Sequence, residues 1–288
     1  MSTYSRIGVV TGANKGIGLA IVRQLALQYP TSPLNNGPFL IYLTARDKSR
    51  GEAAVQTLLH DPQLTQAAAL KSHGGLADIK FHALDVTDST SVRALADHLK
   101  SAHSGGIDFV INNAGIAMDG FDANVVEKTL ECNYYSTLRA CRAFIPLLKP
   151  SGRIVNVAST SGSLAKYSPA VRARFLSATS ESDVSALMRD FQSAVDAGAE
   201  KDAGFPSAAY AVSKAGLIGG TRALAREFEG VSVVSCCPGY VNTDMSKGNG
   251  TSTPDEGART PVWLAIGESG GETGGFYKGE KEVAWEDL

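Results

Sequence analysis

The chain has 288 residues, a formal net charge of −2 and a hydrophobic content of 43%. This length fits one or two domains, and the apolar fraction is sufficient for a packed core. A nearly neutral chain offers no electrostatic basis for binding nucleic acid or an anionic membrane, and no apolar run approaches the ~18 residues that cross a bilayer. We therefore expect neither partner.

Short apolar, β-branched runs alternate with helical patterns along the chain. The runs predict strands at 6–11, 39–45, 79–86, 107–114, 152–159, 231–238 and 274–279. The helical patterns lie at 16–28, 48–60, 89–102, 122–149, 207–228 and 255–268. Unbroken apolar strands indicate a sheet covered on both faces. The order predicts an α/β fold, with a single doubly wound parallel sheet of about seven strands, forming one domain over 1–288.

Two segments interrupt this alternation. Residues 29–39 are a loop rich in Pro, Gly and Asn. Residues 160–206 are a long insertion with helical patterns at about 169–178 and 181–197, the second opening with the capping signal "TSESD". We expect the insertion to pack on its own chain, because apolar residues recur in it at helical spacing: Val184, Leu187, Met188, Phe191 and Val195.

The segment "VVTGANKGIGLAI" (9–21) reads as a strand, a glycine turn and the start of a helix. Glycines let the backbone turn sharply and approach a ligand, and the helix N-terminus offers free N–H groups to a pyrophosphate. An ordinary glycine-rich turn is the alternative. The pattern favours dinucleotide binding, with the candidate residues Gly12, Asn14, Lys15, Gly16, Ile17 and Gly18.

The end of the second strand indicates which dinucleotide binds. An acidic residue there typically bonds the ribose of NAD, but this chain has Ala45 followed by Arg46. Together with Lys15, Arg46 suits a 2′-phosphate, so we expect NADP(H). Asp47, one residue after Arg46, is an acidic residue that argues against NADP(H), although it could instead cap the next helix. The two cations could also be ordinary solvated surface charges.

Two further strand ends carry candidate cofactor residues. Asp85 and Val86 lie at the end of the third strand, where the carboxylate could accept from the adenine amino group. A helix cap is the alternative, which Asp88 or Ser89 would fill better. The fourth strand ends in "NNAG" (112–115), and its candidates are Asn113, Ala114 and Gly115. Ligands in such sheets bind at the carboxyl ends of strands, which favours binding over a plain turn.

Residues 207–216 read "SAAYAVSKAG" and place Tyr210 and Lys214 four positions apart. On a helix, such residues share one face. A surface pair is the ordinary explanation, but a cation within ~4–6 Å can also lower the pKa of a phenol by ~1–3 units. The pair is therefore a candidate proton donor with its modulator.

Taken together, these motifs resemble the short-chain dehydrogenase/reductase family over almost the whole chain. The resemblance rests on "TGANKGIG", "NNAG", Asn133 in "ECNYYS", Ser159 in "IVNVAS", the Tyr210–Lys214 pair and "CCPGYVNTDM" (236–245). "YLTARDKSRGEAAVQTL", "LLKPSGRIVNV" and the long insertion are similar to the monomeric carbonyl reductases. The resemblance implies a Rossmann-type fold and NADPH-dependent reduction of ketones, aldehydes and quinones.

The resemblance also implies a role for each matching residue. Tyr210 would donate the proton, and Lys214 would lower the pKa of Tyr210 and hold the nicotinamide ribose. Ser159 would form a hydrogen bond with the substrate oxygen, and Asn133 would take part in a proton relay. The neighbouring hydroxyls of Thr160 and Ser161 could take the role of Ser159 instead. The alternative for Asn133 is an ordinary helix residue whose side chain bonds the backbone of its own helix. The segment after the sixth strand would close on the nicotinamide through Pro238, Gly239, Val241 and Thr243.

The four cysteines lie in apolar segments without metal-ligand spacing: Cys132, Cys141, Cys236 and Cys237. The first residues show no signal-peptide pattern. We expect a cytoplasmic protein without a metal site, and Cys237 is either a reactive thiol or a small buried hydrophobe.

The insertion would cover the tyrosine helix and leave a monomer acting on a small-molecule carbonyl substrate. Two other functions stay open. One is an NADP(H)-binding sensor without turnover, and the other is a dehydrogenase that oxidises alcohols.

Overall fold

The computed structural model describes residues 3–288. Its strands form one sheet in the order β3-β2-β1-β4-β5-β6-β7-β8. Pairing is parallel from β3 through to β7, and β8 joins β7 in the antiparallel sense. The strands are β1 (Arg6–Val10), β2 (Phe39–Ala45), β3 (Ala77–Ala83), β4 (Ile107–Asn112), β5 (Leu148–Val157), β6 (Ser232–Cys237), β7 (Phe276–Lys278) and β8 (Lys281–Glu282).

Helices cover both faces of this sheet. They are α1 (Gly16–Gln28), α2 (Lys48–Leu59), α3 (Pro62–Gln66), α4 (Ser89–Ala102), α5 (Ala123–Leu130), α6 (Ser136–Phe144), α7 (Pro169–Ser177), α8 (Glu181–Asp196), α9 (Ala209–Glu227) and α10 (Pro254–Ile266). Helices α1, α2 and α10 share one apolar core with the sheet, while α4, α5, α6, α8 and α9 share the other. The predicted doubly wound α/β fold is confirmed.

The strands divide their side chains between the two cores because successive residues of a strand point to opposite faces. In β1, Val9 lies in the core with α9 and Val10 in the core with α1. In β2, Leu40 and Ile41 divide in the same way, and every residue of this strand is buried. This explains why the strands read as continuous apolar runs.

Several boundaries differ from the predicted ones. The predicted helix 122–149 is two helices joined by a π-helical turn over 131–135, and Pro146 and Leu148 then lie outside any α-helix. Proline lacks the N–H that a helix interior requires. Strand β3 ends at Ala83 instead of residue 86, β5 begins at Leu148 instead of residue 152, and α3 and the short β8 were not predicted.

The insertion folds as two helices, as predicted. Helix α8 begins with a capping box in which Ser180 and Asp183 bond each other's backbone N–H groups. Its apolar residues Val184, Leu187, Met188 and Phe191 are buried, and Val195 is partly buried against the same core. Helix α8 packs against α5 and α9, so the insertion covers the helix that carries Tyr210.

Within residues 3–288, no helix combines the length and apolar character needed to span a bilayer.

Candidate active site

The predicted site residues lie where six neighbouring parallel strands end. The glycine turn follows β1, Arg46 follows β2, Asp85 follows β3, residues 113–115 follow β4, Ser159 follows β5 and Pro238 follows β6. The carboxyl ends of parallel strands share one edge of the sheet, and strand order reverses between β1 and β4. The fold therefore gathers residues that are distant in sequence along one crevice.

The glycine turn has a backbone shape that requires glycine. Gly12 and Gly16 have φ values of +63° and +55°, in the left-handed region. A Cβ on Gly18 would lie 2.4 Å from the carbonyl oxygen of Gly12. Partly buried Asn14 and Ile17 complete the turn, and Lys15 is exposed. The turn thus has no room for a side chain at Gly18.

Buried hydrogen bonds tie the glycine turn to the end of β4. The hydroxyl oxygen of Thr11 accepts from the N–H groups of Asn113 and Ala114, both at 3.0 Å. The side-chain amide of Asn113 donates to the carbonyl oxygens of Thr11 and Gly12 at 3.0 and 3.2 Å. The side chain of Asn113 therefore supports the turn. Our sequence analysis missed Thr11, although a hydroxyl directly before Gly12 was a usable signal.

The start of α1 lacks the cap that most other helices have. Lys15 precedes the helix without a capping side chain, and the first turn contains no acidic residue. Elsewhere, side-chain oxygens accept from the first N–H groups of α2, α3, α4, α5, α7, α8 and α10. The N–H groups of α1 thus remain available to an anionic ligand, which is favoured at a helix N-terminus.

The predicted 2′-phosphate residues lie at the exposed end of the crevice. The Lys15 ammonium forms an ion pair of 2.6 Å with Asp244, and the hydrogen bond lowers the pKa of that carboxyl. Our sequence analysis missed Asp244, although it follows Thr243 directly. Asp47 caps α2 by accepting from the Arg50 N–H at 2.9 Å, which agrees with its alternative role as a helix cap. Arg46 is exposed beside it.

At the end of β3, the carboxylate of Asp85 accepts from the N–H and hydroxyl of Thr87 at 2.9 and 2.7 Å. Asp88 caps α4 by accepting from the Thr90 N–H, so Asp85 is not the helix cap. Asp85 is partly buried and Val86 is buried beside it. The strand end is therefore held in a turn by its own side chains.

The segment after β6 returns to the glycine turn. Pro238 and Gly239 lead out of the strand, and Gly239 has a φ of +91°. Val241 is buried, and the methyl carbon of Thr243 lies 3.4 Å from the position of a Cβ on Gly16. Thr243 therefore lies against the glycine turn.

Lys214 is buried on α9, one helical turn after Tyr210. Its ammonium donates to the carbonyl oxygen of Val157, at the end of β5, over 2.8 Å and lies 5.6 Å from the centre of the Tyr210 ring. Burial lowers the pKa of Lys214 to about 8. This side chain therefore joins the helix to the sheet and titrates near neutral pH.

The surroundings of Tyr210 favour the neutral form of its phenol. Burial raises its pKa to about 12, opposed by a hydrogen bond with Ser159. The expected lowering of this pKa by Lys214 is therefore wrong for the protein without ligands. The physical reason is that burial of the phenol, which disfavours its charged form, is the largest influence on this pKa. The Lys214 nitrogen donates instead to the carbonyl oxygen of Val157.

Among the three neighbouring hydroxyls, Ser159 is the one that contacts Tyr210. It also begins the short turn 160–162 by accepting from the Ser161 N–H at 3.1 Å. Thr160 instead lies 3.7 Å from the sulfur of Cys237, and Ser161 is exposed. Cys237 is buried and accepts from the Gly239 N–H, which agrees with a small buried side chain.

Asn133 lies in the π-helical turn, where its side chain leaves the helix. Its oxygen accepts from the Ile116 N–H at 2.8 Å, and its nitrogen donates to the Ile116 carbonyl at 2.8 Å and to Ser213 at 3.0 Å. The back-bonded alternative is therefore wrong. A Cβ on Gly115 would lie 3.2 Å from the Asn133 oxygen and 3.7 Å from the Lys214 nitrogen, so these three residues adjoin.

Two loops beside these residues form what we call the mouth, residues 116–122 and 239–252. The Lys247 ammonium joins them through an ion pair of 2.7 Å with Asp119. Met118, Tyr240 and Met245 are large apolar side chains with exposed fractions of 38%, 56% and 48%. The mouth thus presents apolar surface next to the polar site.

Across residues 3–288, no group of three or more His, Cys, Asp and Glu side chains could hold a metal ion.

Comparison with known proteins identifies the class to which this fold and site belong. Residues 6–171 and 194–253 match the sequence model of the short chain dehydrogenase family. The solved structure of salutaridine reductase from Papaver somniferum superposes with a TM-score of 0.80 at 30% identity, covering 94% of this chain and 99% of that one. The chain therefore belongs to the short chain dehydrogenase family.

Curated relatives confirm the resemblance to carbonyl reductases. The chain is 39% identical to carbonyl reductase (NADPH) 3 of Rattus norvegicus, covering 92% of each protein. It is 37% identical to carbonyl reductase (NADPH) 1 of Homo sapiens, covering 99% of this chain and 100% of that protein.

Proposed function

We propose that the protein is an NADPH-dependent oxidoreductase that reduces the carbonyl groups of ketones, aldehydes and quinones to alcohols. Membership of the family and the similarity to carbonyl reductases (NADPH) support this function. The observation that carries it is the placement of Tyr210, whose ring centre lies 5.6 Å from the Lys214 ammonium and whose pKa, which burial raises, is lowered in part by Ser159 beside it. A reductase needs a proton donor at that place.

The crevice fits a phosphorylated dinucleotide. The uncapped start of α1 suits the pyrophosphate, and the glycine turn leaves room for its close approach. Lys15 and Arg46 are the cations for a 2′-phosphate, and Asp85 and Val86 would hold the adenine. Breaking the exposed pair between Lys15 and Asp244 costs little, so Lys15 is available to the phosphate. Residues 113–115 and 238–243 would enclose the nicotinamide end.

When bound, NADPH supplies the hydride. Tyr210 donates its phenolic proton to the carbonyl oxygen, and Ser159 donates a hydrogen bond to the same oxygen as negative charge develops there. An alkoxide is a far stronger base than a phenolate whose conjugate acid has a pKa of about 12. Proton transfer from Tyr210 to the nascent alcohol is therefore favourable.

Lys214 and Asn133 support this transfer. In its charged form, Lys214 stabilises the phenolate left on Tyr210 and holds the nicotinamide ribose. Asn133 fixes the backbone at Ile116 next to Lys214, and we assign to this place the route by which a proton returns to Tyr210.

The charge state of Tyr210 also bears on the two alternatives. Alcohol oxidation needs a phenolate base at the start of the reaction, whereas burial raises the pKa of Tyr210 to about 12 and so favours the protonated form. A sensor without turnover would not need Tyr210, Ser159, Lys214 and Asn133 to adjoin. Both observations favour reduction.

The mouth indicates the character of the substrate. Three large apolar side chains exposed around a polar site, Met118, Tyr240 and Met245, would lose contact with water when an apolar molecule binds. We propose an apolar carbonyl compound, so KM should fall as apolar substituents are added to a ketone or quinone series.

A substrate panel tests the function. Wild-type protein is mixed with quinones and activated ketones, and absorbance follows the consumption of NADPH or NADH. We expect turnover with a preference for NADPH. Tyr210→Phe should lower kcat by about 10²–10⁴-fold with an unchanged Kd for NADPH. Tyr29→Phe is the matched control, because Tyr29 is buried and bonds Asn36. Tight NADPH binding without turnover would favour the sensor, and full activity of Tyr210→Phe would contradict the mechanism.

We further propose that the protein is a monomer of the cytoplasm. Met188 lies close to Gly216 and Val184 to Gly219, so α8 covers a face of α9. All four cysteines are buried and free of disulfides, which suits a reducing compartment. Sedimentation should give the mass of a single chain, and a tight tetramer would contradict the proposal. Fractionation should recover the protein with the cytoplasm.

A further inference from the structure

Residues 285–288 form a brace behind the turn that carries Ser159. The indole N–H of Trp285 donates to the carbonyl oxygen of Gly162 over 2.9 Å in a buried bond. The hydroxyl of Ser163 also bonds the carbonyl oxygen of Leu288. Trp285 itself is only 3% exposed. Two hydrogen bonds thus join this segment to the turn 160–163.

The same indole packs on the helix that carries Tyr210 and Lys214. A Cβ on Gly219 would lie 3.3 Å from the Trp285 ring, and the Arg222 guanidinium lies 5.7 Å above that ring. Phe175 of the insertion meets it edge to face at 5.6 Å. Trp285 therefore contacts α9, the insertion and the serine turn at once.

The braced turn lies directly against the catalytic part of α9. A Cβ on Gly162 would lie 2.9 Å from the backbone of Lys214 and Ala215. The Gly162 N–H donates to the Ser159 carbonyl at 3.0 Å. A displacement of Gly162 is thus transmitted within one turn to the backbone of Ser159.

We infer that Trp285 is a positioning residue for the proposed reaction. It holds Gly162 in place, and this keeps the Ser159 hydroxyl in position beside Tyr210. The inference rests on the proposed function, in which Ser159 bonds the substrate oxygen. Without the indole N–H, the Gly162 carbonyl is buried and unpaired, and the turn gains freedom to move. A serine displaced by a fraction of an ångström stabilises the developing charge less.

The test compares Trp285→Phe with Trp263→Phe. Both variants keep an aromatic ring, but Trp263 lies on α10 against Tyr277, away from the serine turn. We expect Trp285→Phe to lower kcat about fivefold to tenfold, as for the loss of one buried hydrogen bond, with an unchanged Kd for NADPH. Trp263→Phe should leave kcat unchanged.

A double-mutant cycle with Ser159→Ala separates positioning from general damage. If Trp285 acts through Ser159, Trp285→Phe costs little further activity once the Ser159 hydroxyl is gone. An equal loss in both backgrounds, or an unchanged kcat in the single variant, would overturn the inference. Should Trp285→Phe not fold, Ser163→Ala replaces it, because this change removes a partly exposed hydroxyl. An unchanged kcat in Ser163→Ala would then count against the brace.

Amide hydrogen exchange gives a readout that needs no turnover. We expect the amides of Gly162 and Ser163 to exchange faster in Trp285→Phe than in wild type, and Trp263→Phe to match wild type. Unchanged protection would overturn the inference even if the panel finds activity. If wild type turns over no carbonyl compound, the proposed function fails, and exchange alone decides whether the brace orders the turn.

Discussion

The glycine turn and the mouth lie along the same edge of the sheet but are held in different ways. The turn is fixed by backbone groups of β1 and β4 that meet at buried Thr11 and partly buried Asn113. The mouth is joined by an ion pair between Lys247 and Asp119, whose side chains are 66% and 82% exposed. The two strand ends are thus joined by partly buried hydrogen bonds, whereas the two loops of the mouth are joined to each other by an exposed ion pair.

This difference matches what each region has to bind. A dinucleotide always presents the same phosphates, so a turn built from backbone geometry suits it. The mouth faces the substrate, which can vary where the dinucleotide cannot. Its surface side chains can change without disturbing the fold. We therefore expect substitutions in the turn to affect stability and cofactor affinity, and substitutions of exposed side chains in the mouth outside residues 239–243 to affect substrate KM.

A methyl group added to one glycine of each region tests this contrast most strongly. Gly18→Ala places a Cβ 2.4 Å from a backbone oxygen, so the turn must shift. We expect the free energy of unfolding to fall by about 3 kcal/mol and NADPH affinity to fall at least about tenfold. Urea unfolding and a fluorescence titration with NADPH measure the two effects.

Gly120→Ala in the mouth is the matched variant. Gly120 has a φ of +80°, but nothing lies within 4 Å of its added Cβ. Only the backbone conformation is then strained, at about 1–2 kcal/mol, and NADPH affinity should be unchanged. Equal effects of the two alanines on NADPH affinity would show that the regions are not held differently.

Thr11→Val removes the acceptor that joins the two strand ends. The partly buried Ala114 N–H would lose its partner, and the Asn113 N–H would keep only its bond to the Ile111 carbonyl oxygen. We expect the free energy of unfolding to fall by about 2 kcal/mol. Thr11→Ser keeps the hydroxyl and should retain most of the stability. A stable Thr11→Val protein with normal NADPH affinity would contradict the proposed support of the turn.

The sequence predicted the glycine turn and the Tyr210–Lys214 pair better than it predicted the mouth. Gly12, Gly16 and Gly18 were recognisable because steric limits on the backbone leave one residue type and a fixed spacing. Tyr210 and Lys214 were recognisable because helical spacing alone puts them on one face. The Rossmann-type sheet followed from continuous apolar strands.

The remaining features depend on contacts between distant residues. The partner of Lys15 is 229 positions away, and the ion pair across the mouth spans 128 positions. No local sequence pattern therefore predicts either ion pair. The π-helical turn around Asn133 occurs where its side chain bonds Ile116, 17 positions away, whereas the local sequence reads as ordinary helix. The direction of the Tyr210 pKa was mispredicted because spacing reports proximity and not burial.

The pH dependence of reduction tests the buried lysine between the two regions. The pKa of Lys214 is lowered by burial to about 8, so the ammonium loses its proton as the pH rises through 8. If the charged form stabilises the Tyr210 phenolate, kcat should be constant below pH 8 and fall by up to about tenfold for each pH unit above it. Stopped-flow absorbance of bound NADPH measures this rate.

Unfolding does not explain such an alkaline loss. The folded pKa of Lys214 is lower than the unfolded value of 10.5, so the unfolded chain binds more protons between pH 8 and 10.5. The contribution of this group to stability therefore increases with pH over that range. A rate that stays constant to pH 10 would show that the Lys214 charge is not needed.

The smallest effect is expected at the mouth. Lys247→Ala removes an exposed ion pair, and such pairs contribute about 0.2–1 kcal/mol. We expect the substrate KM to change less than about fivefold, with kcat and the Kd for NADPH unchanged. Because salt screens exposed charges, the wild-type KM should approach that of the variant as NaCl is added. Asp119→Asn is the matched change on the other loop and should behave alike. A tenfold loss of kcat in either variant would mean that the mouth helps to order the catalytic residues, and the contrast with the glycine turn would fail.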